Sequence, residues 1–247
     1  MIESTSTFGI TTHQSDTSDF SKLADDIAGN NSQAILFCNV HMLMLAQEDK
    51  SLADAMQSAD LIFADGVPIA WLQSRLTKRP AKVIRGYQML LAICERANRL
   101  GESVGFLGST QSVMNGLEQR LATQFEKLKI SYKVCPPFVE GELTSSVTEL
   151  QEIRNSGIKW LFVGLGCPKQ EKWIARFKHE LGCHVLGVGA AFDWISGEVK
   201  KPPDWMEKYA LAWLYRLIQN PARMWHRYLK YNSKFVLKAI PVWLGRK

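Results

Sequence analysis

Apolar residues in this chain alternate between two spacings. Short continuous runs stop at glycine or at a polar turn, and between them lie longer stretches in which apolar positions recur every three or four residues. The runs at 34–39, 61–63, 103–108, 130–135, 160–163 and 184–188 predict strands. The stretches at 40–57, 68–76, 87–100, 110–125, 144–155 and 169–181 predict helices, the first carrying Met42, Leu45, Leu52 and Met56 inward. Ser109 or Thr110 would cap the fourth helix and Thr144 the fifth. Runs of Val, Leu and Phe with no polar alternation suit strands covered on both faces. Strand, turn and helix repeat five or six times, which predicts an α/β class: a Rossmann-like, largely parallel sheet with helices on both faces.

The ends depart from this pattern. Residues 1–31 are rich in Ser, Thr and Asp with one helical patch near 20–27, and are expected to form an N-terminal arm, either frayed or laid on the sheet edge as a strand and helix. Lys200-Lys-Pro-Pro203 breaks the pattern after Gly197, so the α/β catalytic domain is expected to span 32–198. Beyond it an apolar helix starts near Asp204, and Asn220-Pro221 reads as the start of a second. At 100° per residue that second helix aligns Arg223, Arg227, Lys230, Lys234 and Lys238 in one stripe, with Trp225, Tyr228, Phe235, Val236 and Ile240 opposite. The segment 199–247 is thus expected to be a basic amphipathic helical appendage that docks on an anionic membrane.

Charge sharpens this expectation. The net +6 hides an asymmetry: residues 208–247 hold nine Lys or Arg and no acid, leaving 21 basic and 24 acidic residues, a net of −3, in the first 207. An acidic surface is the implied partner, and without a recognition motif nucleic acid is not expected. No run reaches the ~18 apolar residues of a spanning helix, and the N-terminus lacks a signal peptide's basic and apolar regions. Five scattered cysteines without a CxxC pair fit reduced thiols. A cytoplasmic protein is expected, peripheral on the inner face of the plasma membrane. No HExxH, GxSxG or DxD occurs, so neither a zinc protease, a serine hydrolase nor a metal-bound diphosphate is signalled.

The chemistry gathers where strands end, because ligands of parallel sheets sit beyond the carboxyl ends. Asp65 follows the run 61–63 and is either a turn or capping residue for the helix behind it or a catalytic carboxylate. Gly164 and Gly166 open a helix through Pro168 and Lys169, where backbone N–H groups, the helix dipole and an ammonium could meet a phosphate. Gly108 and Ser109 are candidate nucleotide contacts at another such turn, although capping alone explains the hydroxyl. Arg85, the last of a dense basic run, is a candidate for forking onto a diphosphate.

Several motifs in register also carry a resemblance. Asn39, Phe63-Ala-Asp-Gly-Val-Pro68, Gly164-Leu-Gly-Cys-Pro-Lys-Gln-Glu171, Gly187-Val-Gly-Ala-Ala-Phe-Asp193, Trp213-Leu-Tyr-Arg216 and Pro221-Ala-Arg223 resemble the WecG/TagA/CpsF family of bacterial glycosyltransferases. The resemblance implies an inverting transfer of sugar from a UDP-sugar to a polyprenyl diphosphate-linked saccharide, with no metal and no further cofactor. Asp65 would be the general base, Asn39 would orient it or the acceptor, and Arg85 would offset the diphosphate charge. Gln170 and Asp193 would hold the nucleotide-sugar, and Arg216, Arg223 and Arg227 would serve the membrane and diphosphate. Phe37 departs from the small polar residue many relatives carry, and Ala212 from a common Glu. The other readings of the residues are an NAD-binding oxidoreductase, for which neither GxG completes GxGxxG, and a non-catalytic membrane adaptor. The oligomeric state is left open, a homo-oligomer included.

Overall fold

The computed structural model describes residues 2–137, 141 and 144–245, the Arg223 side chain apart. Eight strands form one sheet: β1 (Ile2–Thr7), β2 (Ile10–Ser15), β3 (Ala34–Cys38), β4 (Leu61–Ala64), β5 (Ser103–Gly108), β6 (Lys129–Val134), β7 (Trp160–Gly164) and β8 (His184–Gly187). Their spatial order is β1-β2-β4-β3-β8-β7-β5-β6, and every pairing but β1 with β2 is parallel. The N-terminal residues contribute two strands to this edge, joined by a tight turn with Phe8 and Gly9 at positive φ, the geometry that suits a two-residue hairpin.

Successive residues of a strand point to opposite faces, and here both faces are apolar. Leu36 and Cys38 of β3 and Leu161 and Val163 of β7 enter one core, while Ile35, Phe37, Trp160 and Phe162 enter the other. The first core is covered by α2 (Val40–Ala46), α3 (Lys50–Gln57), α4 (Val67–Thr77), α7 (Val147–Asn155), α8 (Lys169–Leu181) and α12 (Pro221–Trp243). The second is covered by α1 (Phe20–Ala28), α5 (Gly86–Leu100), α6 (Gln111–Gln124) and α9 (Ala191–Ser196). The expected α/β class with helices on both faces is therefore the fold.

Three element boundaries differ from the pattern, each for a local reason. The stretch 40–57 is two helices because the Asp49 carboxylate accepts from the Leu52 N–H at 3.0 Å and starts a new one. Ser146, not Thr144, caps α7: its hydroxyl accepts from the Glu149 N–H at 3.2 Å while the Glu149 carboxylate accepts from the Ser146 N–H at 2.6 Å. Thr144 has Val147 at the matching position and cannot close that box. The segment after Pro203 splits into α10 (Asp204–Lys208) and α11 (Ala212–Gln219), with Ala210 at φ 60 between them.

The last helix also sits differently from expectation. Phe235 and Ala239, at 7% exposure each, are buried against the body, with Phe235 edge-on to Phe8 at 6.2 Å. The basic stripe lies along the flank of this contact rather than facing outward: Lys230 pairs with Glu48 at 2.7 Å, Lys234 pairs with the same carboxylate, and Lys238 donates to Gln47 at 2.6 Å. The exposed arc is apolar, carrying Trp225, Leu229, Val236, Leu237, Ile240 and Trp243. Among the described residues no helix is long and apolar enough to cross a membrane.

Candidate functional site

β3 and β8 are neighbours whose following helices, α2 and α9, leave to opposite faces of the sheet. Such a switch point opens a crevice beyond the strand ends. A cavity of about 680 Å³ lies there, lined by Asn39, Asp65, Ser109, Gly164, Gly166, Gln170, Asp193, Arg216 and Arg227 together with aromatic and aliphatic residues such as Phe37, Tyr87, Val188 and Trp194. Nine of the thirteen residues singled out in the sequence thus line this one cavity.

Asp65 stands at the end of β4, half-buried at the cavity wall. It does not cap the next helix: Gly66, at φ 126, occupies that position without a side-chain bond, so the carboxylate is not consumed there. Asn39 ends β3 beside it. The Asn39 carbonyl oxygen accepts from the Met42 N–H at 3.1 Å, capping α2, which turns its amide toward Asp65, and the two side chains share a hydrogen bond. Burial pushes the Asp65 carboxyl up to about 6. Arg216 and Arg85 pull it back, Glu207 pushes it further up, and the Asn39 hydrogen bond favours the ionised form. A carboxylate titrating there is ionised at pH 7 yet still basic enough to take a proton.

The two glycine-ended loops form the floor. Gln170, 3% exposed, accepts from the Gly189 N–H at 3.0 Å and donates to Glu171 at 2.6 Å, so its amide ties the loop after β7 to the loop after β8. Glu171 is fully buried, and burial pushes its carboxyl up to about 7. Gly108 and Gly164 are glycines for steric reasons: a Cβ on the first would lie 2.6 Å from the Gly164 backbone, and one on the second 2.5 Å from the Phe192 ring. Gly164 reaches the cavity, while Gly108 supports it from below. Ser109 adopts φ 62 and lines the cavity, and Thr110 is the residue that caps α6, accepting from the Val113 N–H at 3.4 Å.

The remaining cations are distributed unevenly. Arg216, from α11, lies over the Trp194 ring at 4.4 Å, and Trp194 meets Tyr87 edge-on at 5.6 Å, so the appendage closes one side of the crevice. Arg227 lines the wall from α12. Lys169 opens α8 but does not line the cavity. Arg85 does not line it either: its guanidinium turns to Glu207, with Nε 3.6 Å from the carboxylate and an amino group 3.5 Å from the Glu207 carbonyl. The expected Arg223 contact lies outside the described residues. Among the described residues no three His, Cys, Asp or Glu side chains cluster as a metal site.

The model of the glycosyl transferase WecG/TagA/CpsF family matches residues 5–247. The chain belongs to this family. Two relatives of the WecG/TagA/CpsF type are N-acetylglucosaminyldiphosphoundecaprenol N-acetyl-beta-D-mannosaminyltransferases. The one from Bacillus subtilis (strain 168) is 29% identical over 192 residues, 77% of this chain and 73% of its own. That from Bacillus spizizenii (strain ATCC 23059 / NRRL B-14472 / W23) is 28% identical over 201 residues, 81% and 76% of the two chains.

Reading the sequence missed Glu207, Trp194, Tyr87 and Lys201. For Glu207 a signal existed: it and Asp204 are the two acids in a segment otherwise given over to basic and aromatic residues.

Proposed function

We propose that this chain is an inverting glycosyltransferase that moves a sugar, of the N-acetylmannosamine or hexose type, from a UDP-sugar to a polyprenyl diphosphate-linked saccharide for a cell-surface polymer. The observation that carries the reading is an uncapped carboxylate, Asp65, at the mouth of a crevice large enough for a nucleotide-sugar, with its own proton affinity raised toward neutrality. Asp65 takes the proton of the acceptor hydroxyl as that oxygen attacks the anomeric carbon. The bond to the UDP oxygen breaks on the opposite face, and the configuration inverts. Asn39 orients the base. Arg216 and Arg227, with Arg85 behind them, offset the charge that builds on the departing diphosphate, which leaves no role for a metal ion. Asp193, Ser109 and the loops tied by Gln170 hold the nucleotide-sugar. The apolar face of α12, flanked by its lysines, rests on the inner leaflet where a lipid acceptor is found.

The test is turnover of UDP-N-acetylmannosamine and a panel of other UDP-sugars with a short-chain lipid diphosphate acceptor. Asp65→Asn is expected to lose at least ~100-fold while melting as the wild type does, and EDTA is expected to leave the rate unchanged. UDP is expected to raise the melting point and NAD is not. More than a tenth of wild-type turnover in Asp65→Asn would sink the assignment of the base.

A further inference from the structure

The groups gathered around Arg85 go beyond what that reaction requires of it. Arg85 precedes α5 in an extended conformation, so the helix does not fix its side chain. Glu207 comes to it from α10 of the appendage, 7% exposed. The Glu207 carboxylate lies 3.6 Å from Arg85 Nε, 3.3 Å from the Tyr87 hydroxyl and 3.7 Å from Lys201 Nζ. Lys201 has closer partners, Asp204 at 2.8 Å and the Tyr87 hydroxyl at 2.7 Å. Arg85 otherwise meets Gln88 at 3.5 Å. A carboxylate this buried is costly unless its charge is used, and the cation placed to use it is Arg85.

We propose that Glu207 is a positioning residue of this site: from the appendage it holds the Arg85 guanidinium at the end of β4, where the neighbouring Ile84 N–H donates to the Ala64 carbonyl at 2.9 Å, one residue before Asp65. The inference rests on the reading of Asp65 as the base. The charged and titratable groups that act on Asp65 come from four elements: Arg216 from α11, Arg85 ahead of α5, Glu207 from α10 and Cys38 from β3. Two of these sit on the appendage and have opposite signs. Burial raises the proton affinity of the base most, and the appendage adds charges of both signs to it.

The experiment compares the full chain with Glu207→Gln, Glu207→Ala and Glu207→Asp, reading kcat/KM against pH, KM for the UDP-sugar, and melting temperature. Gln keeps a group that Arg85 can reach but removes the negative charge. The acidic limb of the profile is expected to move to lower pH by about half a unit. Ala releases Arg85 as well, so its limb lies above that of the Gln variant and its KM rises at least ~3-fold. A Gln variant whose limb coincides with or lies above the wild-type limb overturns the proposal. Should the Gln variant melt too low to assay, Glu207→Asp decides: the charge remains while the shorter reach releases Arg85, so a limb at or above the wild-type limb with a KM raised at least ~3-fold supports the proposal and a wild-type KM overturns it. Asp65→Asn separates this from the underlying reading. If it stays active, the base is misassigned; if it is inactive while Glu207→Gln shows the wild-type limb, the positioning role alone fails.

Discussion

At the scale of single residues, burial is the dominant electrostatic force in this site. It pushes Asp65 to about 6 and Glu171 to about 7, and the two differ in what offsets it. Asp65, at the cavity wall, is offset by Arg216 across the crevice lining and by Arg85 outside it, whereas Glu171 lies sealed beneath the floor with one oxygen lacking a hydrogen-bond partner. A carboxyl whose folded-state pKa is raised binds its proton more tightly when folded, so its contribution to stability is present below the unfolded value and is lost as pH rises through the folded one. For Glu171 that window runs from about 4.5 to about 7, and a shift of this size corresponds to about 3 kcal/mol. Glu171→Gln is therefore expected to melt above the wild type at pH 8.5, with the gap narrowing toward pH 5. Parallel melting curves for the two proteins across that range would contradict it. Spacing placed Asp65 at a strand end but left capping and catalysis both open; that Gly66 takes the cap position and leaves the carboxylate at the crevice is visible only in the fold. Glu207 stood out only as an acid in a basic segment, and its part in the site was hidden because the partner that gives it meaning is Arg85, 122 positions away in the chain.

At the scale of elements, the 3.6-residue period defined α12 but not its orientation. The helix has one broad apolar arc opposite the lysines, of which one edge turns inward and the rest outward, and periodicity alone treats it as a single face. The edge that turns inward is chosen by Phe8, at the tip of the β1–β2 hairpin, which supplies an aromatic partner for Phe235 that nothing in the appendage reveals. His41 and Tyr231 make a second such contact, ring to ring at 4.8 Å, and burial together with Arg227 holds the His41 imidazole neutral with its pKa down to about 3. The strands were easier to read: they are covered on both faces, so each carries an unbroken apolar run whichever helix lies above it. Phe235→Ala is expected to cost about 3 kcal/mol in a denaturant titration, while Leu229→Ser, on the outward arc at 64% exposure, is expected to stay within about 0.5 kcal/mol. A larger loss for Leu229→Ser than for Phe235→Ala would show that the inward edge and the outward arc had been assigned the wrong way round.

At the scale of the whole molecule, the charge asymmetry and the exposed arc belong to the same end. The appendage carries the positive excess over a body of net −3, and it also carries the outward Trp225, Leu229, Val236 and Trp243 beside a wall of the crevice. Docking of this surface on an anionic bilayer, as proposed above, would draw on two forces with different dependences. Long-range attraction is screened beyond about 8 Å at physiological salt, whereas apolar insertion, at roughly 25 cal/mol per Å² of surface removed from water, is not. Two of the lysines are already partly neutralised by Glu48, so each contributes less than the ~1 kcal/mol of an unpaired near-surface cation. Vesicle sedimentation of the full chain should therefore show binding to anionic vesicles that weakens but persists from 50 to 300 mM NaCl. Leu229→Glu with Val236→Glu should leave only weak binding at 50 mM NaCl that is gone by 300 mM, because these substitutions remove the part that screening does not touch. Replacing Lys230 and Lys234 with Gln should lower binding only a few-fold. Were the lysine pair the more damaging of the two, the helix would meet the membrane through its basic flank, and the crevice would face along the bilayer instead of toward it.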